Sequence, residues 1–280
     1  MTFAQALRQA KDQLTAANKE LRVAELLLMH VSQLTSADLY ARLQEEMPES
    51  IYEQLVSTLG QHIALDVPLQ HLTGEEIFFG YSFTVGPDVL IPRFETEELV
   101  ERVLALYDTH FGYPVRVVDM GTGSGAIAIT LAKEEPRMQV DAVDVSAAAL
   151  AIASSNATRL QAPVRFLHGS WCEPLTTTYD IVVANPPYIP VNEPLPNEIV
   201  KYEPHTALFG GADGLDHHRT LYQCIKPHLN PTFLIAVEHG FQHAQAVQTM
   251  AQAAFPSARV WSETDMQHKD RFTFVLQTQE

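Results

Sequence analysis

Asn185-Pro186-Pro187-Tyr188 follows the apolar run Ile181-Val182-Val183-Ala184. Two consecutive prolines fix the backbone and remove two N–H donors, so their carbonyls and the Asn185 side chain face outward as preset acceptors. Acceptors of that kind suit a planar NH₂ group. A Pro-Pro pair also ends strands without any chemistry, but the asparagine before it and the aromatic after it favour a binding role. A second signal is Val117-Val118-Asp119-Met120-Gly121-Thr122-Gly123-Ser124-Gly125-Ala126, an apolar strand running into a glycine-rich turn that opens a helix. Glycine lets the backbone approach a ligand closely, and a helix start offers unpaired N–H groups. Gly121, Gly123 and Ala126 also fit a G-x-G-x-x-A dinucleotide fingerprint, and a ligand-free tight turn is the plainer alternative. Asp144 ends the run Val140-Asp141-Ala142-Val143 and lies 19 residues beyond Gly125. An acid at that strand tip accepts hydrogen bonds from both hydroxyls of a ribose; its alternative is a favourable charge at the start of the Ser146 helix. Together the two segments suit an adenosine-type nucleotide.

Weaker candidates have plainer explanations. His239 and His243 have the i, i+4 spacing of a metal pair without a third ligand nearby, so a solvated or core pair is expected and no metal. His217-His218 reads as an exposed helix start. Glu95 and Glu97 form an acidic first helical turn, favourable next to the helix dipole. Cys172 and Cys224 are the only cysteines, too sparse for a disulfide framework, and read as buried free thiols in a reducing compartment.

The elements that position these residues follow from periodicity. Phe3, Leu7, Ala10 and Leu14 share one helical face, as do Ile51, Leu55 and Leu59, so residues 1–70 are expected to form a helical domain. Thr2 with Gln5, and Ser50 with Glu53, match the capping box. The segment GEEIFFGYSFTVGPDVLIP, aromatic and broken by Gly74, Gly80, Gly86 and Pro87, is expected to form a hairpin linker within 71–94. Beyond it, over 95–280, a helix begins near Thr96. Seven apolar runs then follow, VRVVDM, QVDAVDV, VRFLHG, YDIVVANPP, TFLIAVEHG, ARVWSE and RFTFVLQTQ, the first five alternating with helical segments. That alternation predicts an α/β fold with a mostly parallel sheet; the last two strands, too close for a crossover helix, pair antiparallel at one edge.

Composition narrows the partners. With 18 Lys and Arg against 34 Asp and Glu the net charge is -16, and no basic stripe is present to track a phosphate backbone. The amino-terminal segment lacks the pattern of a secretory signal and no apolar run reaches membrane-spanning length, so a cytoplasmic protein is expected.

The glycine turn, Asp144 and the Asn-Pro-Pro-Tyr tetrapeptide together resemble the class I S-adenosylmethionine-dependent methyltransferases that modify planar amino or amide nitrogens. Leu90-Ile91-Pro92-Arg93-Phe94-Glu95-Thr96-Glu97, Glu203-Pro204, Ala207-Leu208, Gly210-Gly211-Ala212-Asp213-Gly214-Leu215 and Asp270-Arg271-Phe272 narrow the likeness. With the helical domain, they resemble the HemK/PrmC family, the protein-(glutamine-N5) methyltransferases of peptide chain release factors, over nearly the whole chain.

The resemblance implies a Rossmann-like seven-stranded sheet and S-adenosylmethionine held by Gly121, Thr122, Gly123, Ser124, Gly125, Asp144, Trp171 and Asn185. It implies catalysis at Asn185, Pro186, Pro187 and Tyr188, a helical domain that recognises the release factor, and a channel beside Arg93 and Glu97. Phe94 stands where the family commonly has proline. Ser170 stands where it commonly has an acid, which shortens the reach of one adenine contact. Other readings of the motifs are an adenine-N6 methyltransferase acting on DNA or RNA, an NAD-dependent oxidoreductase using the same glycine turn, and a non-catalytic module that keeps the fold.

Overall fold

The computed structural model describes residues 1–278; Gln279, which ends the RFTFVLQTQ run, and Glu280 lie outside the described residues. Contacts divide the chain into two units, residues 1–75 with 196–202, and residues 76–195 with 203–280.

The first unit contains α1 (Phe3–Ala16), α2 (Arg22–Ser32), α3 (Ser36–Ala41), α4 (Glu49–Leu65) and α5 (Leu69–Thr73). Thr2 and Gln5 close the expected capping box at the start of α1, each side chain accepting the other's backbone N–H. The apolar face of α1, Phe3, Leu7, Ala10 and Leu14, is buried in one core with Leu27 and Leu28 of α2 and Leu55 and Leu59 of α4. The second capping box does not form. Helix α4 already begins at Glu49 behind Pro48, so Ser50 and Glu53 lie inside it and no side chain caps its start. Proline's preset φ makes that entry without a cap.

The second unit begins with a hairpin, β1 (Glu75–Phe78) and β2 (Tyr81–Thr84), turned by Phe79 and Gly80 at φ 52° and 78°. Positive φ at both turn positions matches the right-handed twist of the strands. Phe78 and Phe83 are buried in the unit's main core. Asn156, wholly buried, fixes the hairpin's far end: Oδ1 accepts from Thr84 N at 2.8 Å, while Nδ2 donates to the carbonyls of Thr84 and Ser124, each at 3.0 Å.

There follow α6 (Phe94–His110), β3 (Val115–Met120), α7 (Ala126–Glu134), β4 (Met138–Asp144), α8 (Ala147–Leu160), β5 (Val164–His168) and β6 (Tyr179–Ala184); then α9 (Asn197–Tyr202), which belongs to the first unit; then, again in the second, α10 (Asp216–Cys224), β7 (Leu229–Glu238), α11 (Ala244–Ala254), β8 (Arg259–Thr264) and β9 (Asp270–Gln277). Among the described residues the last seven strands form one sheet in the order β5-β4-β3-β6-β7-β9-β8. Strands β3 to β7 are parallel; β9 inserts antiparallel between β7 and β8, leaving β8 at the edge.

Alternate residues feed opposite cores. Ile181 and Val183 of β6 join Val117, Leu234 and Ala236 on the face covered by α6 and α7. Val182 and Ala184 join Val118, Ile235 and Val237 on the face covered by α10 and α11. Burial on both faces explains why these strands read as continuous apolar runs. Among the described residues no helix is long and apolar enough to cross a membrane.

Candidate active site

Strand order reverses between β3 and β6, and a crevice outside the carboxyl ends of strands forms at such a reversal. Met120 pairs with Ala184 across these strands, so Gly121 and Asn185 leave the sheet as neighbours. On the other flank Met120 pairs with Val143, which brings Asp144 to the same edge.

The glycine turn stays tied to β4. Gly121 N and Thr122 N both donate to the Val143 carbonyl, and Gly123 N donates to Asp144 Oδ2 at 2.8 Å. Asp144 Oδ1 accepts from Ser146 N, also at 2.8 Å. The carboxylate thus braces the turn against the start of α8. Each oxygen can accept further bonds and Asp144 is half-exposed, so its place at the start of α8 leaves acceptor capacity free. Gly121 and Gly123 have φ of 79° and 55°, and among the described residues nothing lies within 4 Å of where a Cβ would stand. Open space beside a left-handed backbone suits close approach of a ligand. Gly125 differs: a Cβ there would stand 2.8 Å from Ile129 Cδ1 and 3.1 Å from Ala153 Cβ, so it serves helix packing.

Two of the expected contacts turn inward. Thr122 is buried and donates Oγ1–H to Asp119 Oδ2 at 2.6 Å; Ser124 is also buried, its carbonyl held by Asn156. Both side chains are therefore withdrawn from the open side of the turn. Asp119 also accepts from Ala128 N, while its Oδ1 has no partner among the described residues. Burial raises this carboxyl to about 7. Its folded value lies above the unfolded one, so the folded state keeps the proton longer and stability falls as pH rises from about 4 to about 7. We expect Asp119→Asn, which cannot ionise, to melt higher than the native chain at pH 8 and to lose that advantage at pH 5. An equal difference at both pH values would contradict it.

Asn185 is half-buried, and its Nδ2 donates to Thr96 Oγ1 in the first turn of α6 at 3.0 Å. Thr96 Oγ1 donates to Glu238 Oε2 at 2.7 Å, and Tyr188 OH donates to Glu238 Oε1 at 3.2 Å. Glu238 ends β7 and is 1% exposed; burial raises its carboxyl to about 7 and also pushes the Tyr188 phenol up. Neither Glu238 nor Thr96 was singled out for chemistry by spacing. The available signal was an acid closing the apolar run TFLIAV at the same strand edge.

Behind the tetrapeptide, Ile189 N donates to the Leu208 carbonyl and Gly210 N to the Ile189 carbonyl. A Cβ on Gly210 would stand 2.5 Å from the Pro187 carbonyl oxygen and 2.7 Å from that of Gly214. Gly210→Ala must therefore displace the Pro187 backbone. The expected cost is about 1–3 kcal/mol of stability, with a fall in turnover. Urea denaturation together with initial rates checks this, and an unchanged midpoint and rate would contradict it.

Trp171 is half-buried at φ 48°, its ring 5.5 Å from that of His217. Ser170 N donates to Glu173, so an acid stands three residues beyond the position where the family commonly has one. Cys172 and Cys224 are not free thiols. The segment after β5 packs on α10, which brings their Cα atoms to 5.8 Å, and they form a disulfide. Residues 52 apart in sequence give no spacing signal for such a bond. Nor is His218 exposed: it lies at the start of α10 as expected but is buried, with Nε2 3.0 Å from the Glu238 carbonyl, and burial lowers its imidazole to about 3. His239 is likewise buried, 2.9 Å from Thr273 Oγ1. Among the described residues no group of three or more His, Cys, Asp and Glu side chains is placed to hold a metal.

A parallel sheet with this reversal, closed by an antiparallel β9, is the fold of the class I methyltransferases. A solved methyltransferase from Pyrococcus furiosus shares it with a TM-score of 0.53 over 71% of this chain and 89% of that chain, at 18% identity. The Methyltransferase small domain family matches residues 99–201 and the PrmC N-terminal domain family residues 5–74. A release factor glutamine methyltransferase from Bacillus cereus is 37% identical, covering 98% of this chain and 99% of that protein. One from Bacillus subtilis is 40% identical, covering 98% of each. The chain belongs to the release factor glutamine methyltransferase family and is an S-adenosylmethionine-dependent methyltransferase.

Proposed function

We propose that this chain methylates the side-chain amide nitrogen, N5, of the glutamine in the Gly-Gly-Gln motif of peptide chain release factors. One observation carries the reading: Gly121 and Asn185 emerge side by side from paired strands, so a cofactor lying on the glycine turn comes within reach of the Asn-Pro-Pro-Tyr corner. The residues fit S-adenosylmethionine. Open space at Gly121 and Gly123, the half-exposed Asp144 at the tip of β4 and the half-buried Trp171 suit its amino acid end, ribose and adenine in turn. When bound, the cofactor supplies a sulfonium methyl group whose C–S bond breaks as the amide nitrogen forms an N–C bond, leaving S-adenosylhomocysteine.

The protein's share is to aim a poor nucleophile. An amide nitrogen has its lone pair delocalised into the carbonyl, so geometry must compensate, and positioning supplies up to about 7–11 kcal/mol in favourable intramolecular reactions. Asn185 Oδ1 and the Pro186 carbonyl accept the two amide hydrogens, which points the nitrogen at the methyl group and stabilises the positive charge that develops on it. Tyr188, its hydroxyl anchored on Glu238, flanks the amide plane and excludes water. The methylated nitrogen is acidic and loses its extra proton to solvent, so no strong base is needed.

The helical unit, residues 1–75 with 196–202, is proposed to recognise the release factor. The activity is placed with that substrate, in the cytoplasm. A net charge of -16 counts against the adenine-N6 alternative, because flipped-base enzymes still need phosphate contacts. A methyl-transfer assay offering a release factor and an oligonucleotide in parallel separates the two. Incorporation into the release factor alone is expected; incorporation into the oligonucleotide would overturn the reading.

A further inference from the structure

A threonine hydroxyl carries a single proton, and at Thr96 that proton points at Glu238 Oε2, 2.7 Å away. Thr96 Oγ1 therefore meets Asn185 only as an acceptor, and what it accepts is an Nδ2 hydrogen at 3.0 Å. The opposite amide orientation would turn Asn185 Oδ1 toward a hydroxyl whose proton is already used, leaving two oxygens in contact without a hydrogen between them. Thr96 and Glu238 are 5% and 1% exposed, so water does not substitute readily for either partner. Glu238 also holds the Tyr188 hydroxyl at 3.2 Å, so one carboxylate fixes both ends of the tetrapeptide.

We infer that Thr96 and Glu238 are positioning residues for methyl transfer: they set which end of the Asn185 carboxamide faces the substrate. The inference rests on the reading above, in which Asn185 Oδ1 accepts a hydrogen of the substrate amide. Charge direction matters here. An ionised Glu238 accepts from Thr96 and leaves Asn185 Oδ1 available. A protonated Glu238 instead donates to Thr96, whose own proton then favours the flipped carboxamide, with Oδ1 toward Thr96 and Nδ2 toward the substrate. The titratable and charged groups facing this carboxyl are Tyr188 after β6, Arg271 on β9 and Glu95 on α6, while His218 of α10 bonds its backbone carbonyl and His239 follows it in the chain. Burial places its titration near neutrality, where the switch in direction is open to measurement.

The test uses the full chain with release factor and S-adenosylmethionine. Thr96→Val is expected to lower kcat about 10- to 100-fold with cofactor Kd unchanged within about twofold, as for outer-shell partners that orient a working group. Thr96→Ser, which keeps the hydroxyl, restores kcat to within about threefold of the native value. In an Asn185→Ala background, Thr96→Val costs nothing further, because it acts only through that side chain. Native kcat is expected to fall from pH 8 to pH 6, and Glu238→Gln to lower kcat and remove that fall. Native kcat in Thr96→Val, failure of Thr96→Ser to restore it, or multiplying losses in the double variant would overturn the inference. If Thr96→Val does not fold, the Thr96→Ser rate and the Glu238→Gln pH profile decide it, and an unchanged acid limb in Glu238→Gln counts against it. Full turnover in Asn185→Ala alone would instead remove the reading on which it rests.

Discussion

Replacing Asn185 with alanine is expected to lower kcat by about 10²–10³-fold, the usual loss when one preorganised partner of developing transition-state charge is removed. The effect belongs in kcat rather than in cofactor affinity. Asn185 Oδ1 is the proposed partner of the substrate amide, while the carboxamide's other end is occupied by Thr96. Its bond to nitrogen strengthens as positive charge develops, which is the signature of an interaction made mainly in the transition state. A structural loss is separable: Thr96 would keep Glu238 as its partner, so the variant is expected to fold. Steady-state kinetics beside a cofactor titration make the comparison. A variant with native kcat would show that the tetrapeptide is only a rigid strand end.

The second large effect is expected at Asp144, with the opposite signature. Asp144→Ala should weaken S-adenosylmethionine binding about 10- to 100-fold, on the scale of about 1.5–3 kcal/mol for a hydrogen bond to a charged group. Two contributions combine. The ribose hydroxyls lose their acceptor, and Gly123 N and Ser146 N lose the carboxylate that holds the glycine turn to the start of α8. Asp144→Asn separates them, since an amide oxygen still accepts from one backbone donor while the charge is gone. Its affinity is expected to fall between those of the native chain and Asp144→Ala. Calorimetry gives the answer directly, and an unchanged Kd in Asp144→Ala would take the residue out of the site.

The sheet was readable because of where it lies. A parallel strand buried on both faces is mostly apolar, so VRVVDM, in which only Arg116 is exposed, appears in the sequence as the same six residues that form β3, Val115–Met120. The glycine turn and Asn-Pro-Pro-Tyr were readable for a related reason: each is a local backbone demand that few residue types meet, and each sits directly after such a strand. Helix α1 likewise announced itself through Thr2 and Gln5.

What sequence did not reveal depends on pairs distant along the chain. Thr96 and Glu238 are 142 residues apart, and Cys172 and Cys224 meet only because α10 lies against the segment after β5. His218 has a polar neighbourhood in sequence, yet the fold turns it toward the end of β7 and buries it. Ser50 and Glu53 satisfied a capping pattern that Pro48 pre-empted by starting α4 earlier. In each case the local pattern was sound and a tertiary neighbour decided the outcome.

Mass mapping of a release factor after incubation with this enzyme and isotopically labelled S-adenosylmethionine tests the account most directly. One labelled methyl group on the side-chain nitrogen of the glutamine in the Gly-Gly-Gln loop is the expected result. Label on any other residue, or on none while S-adenosylhomocysteine accumulates, would contradict it.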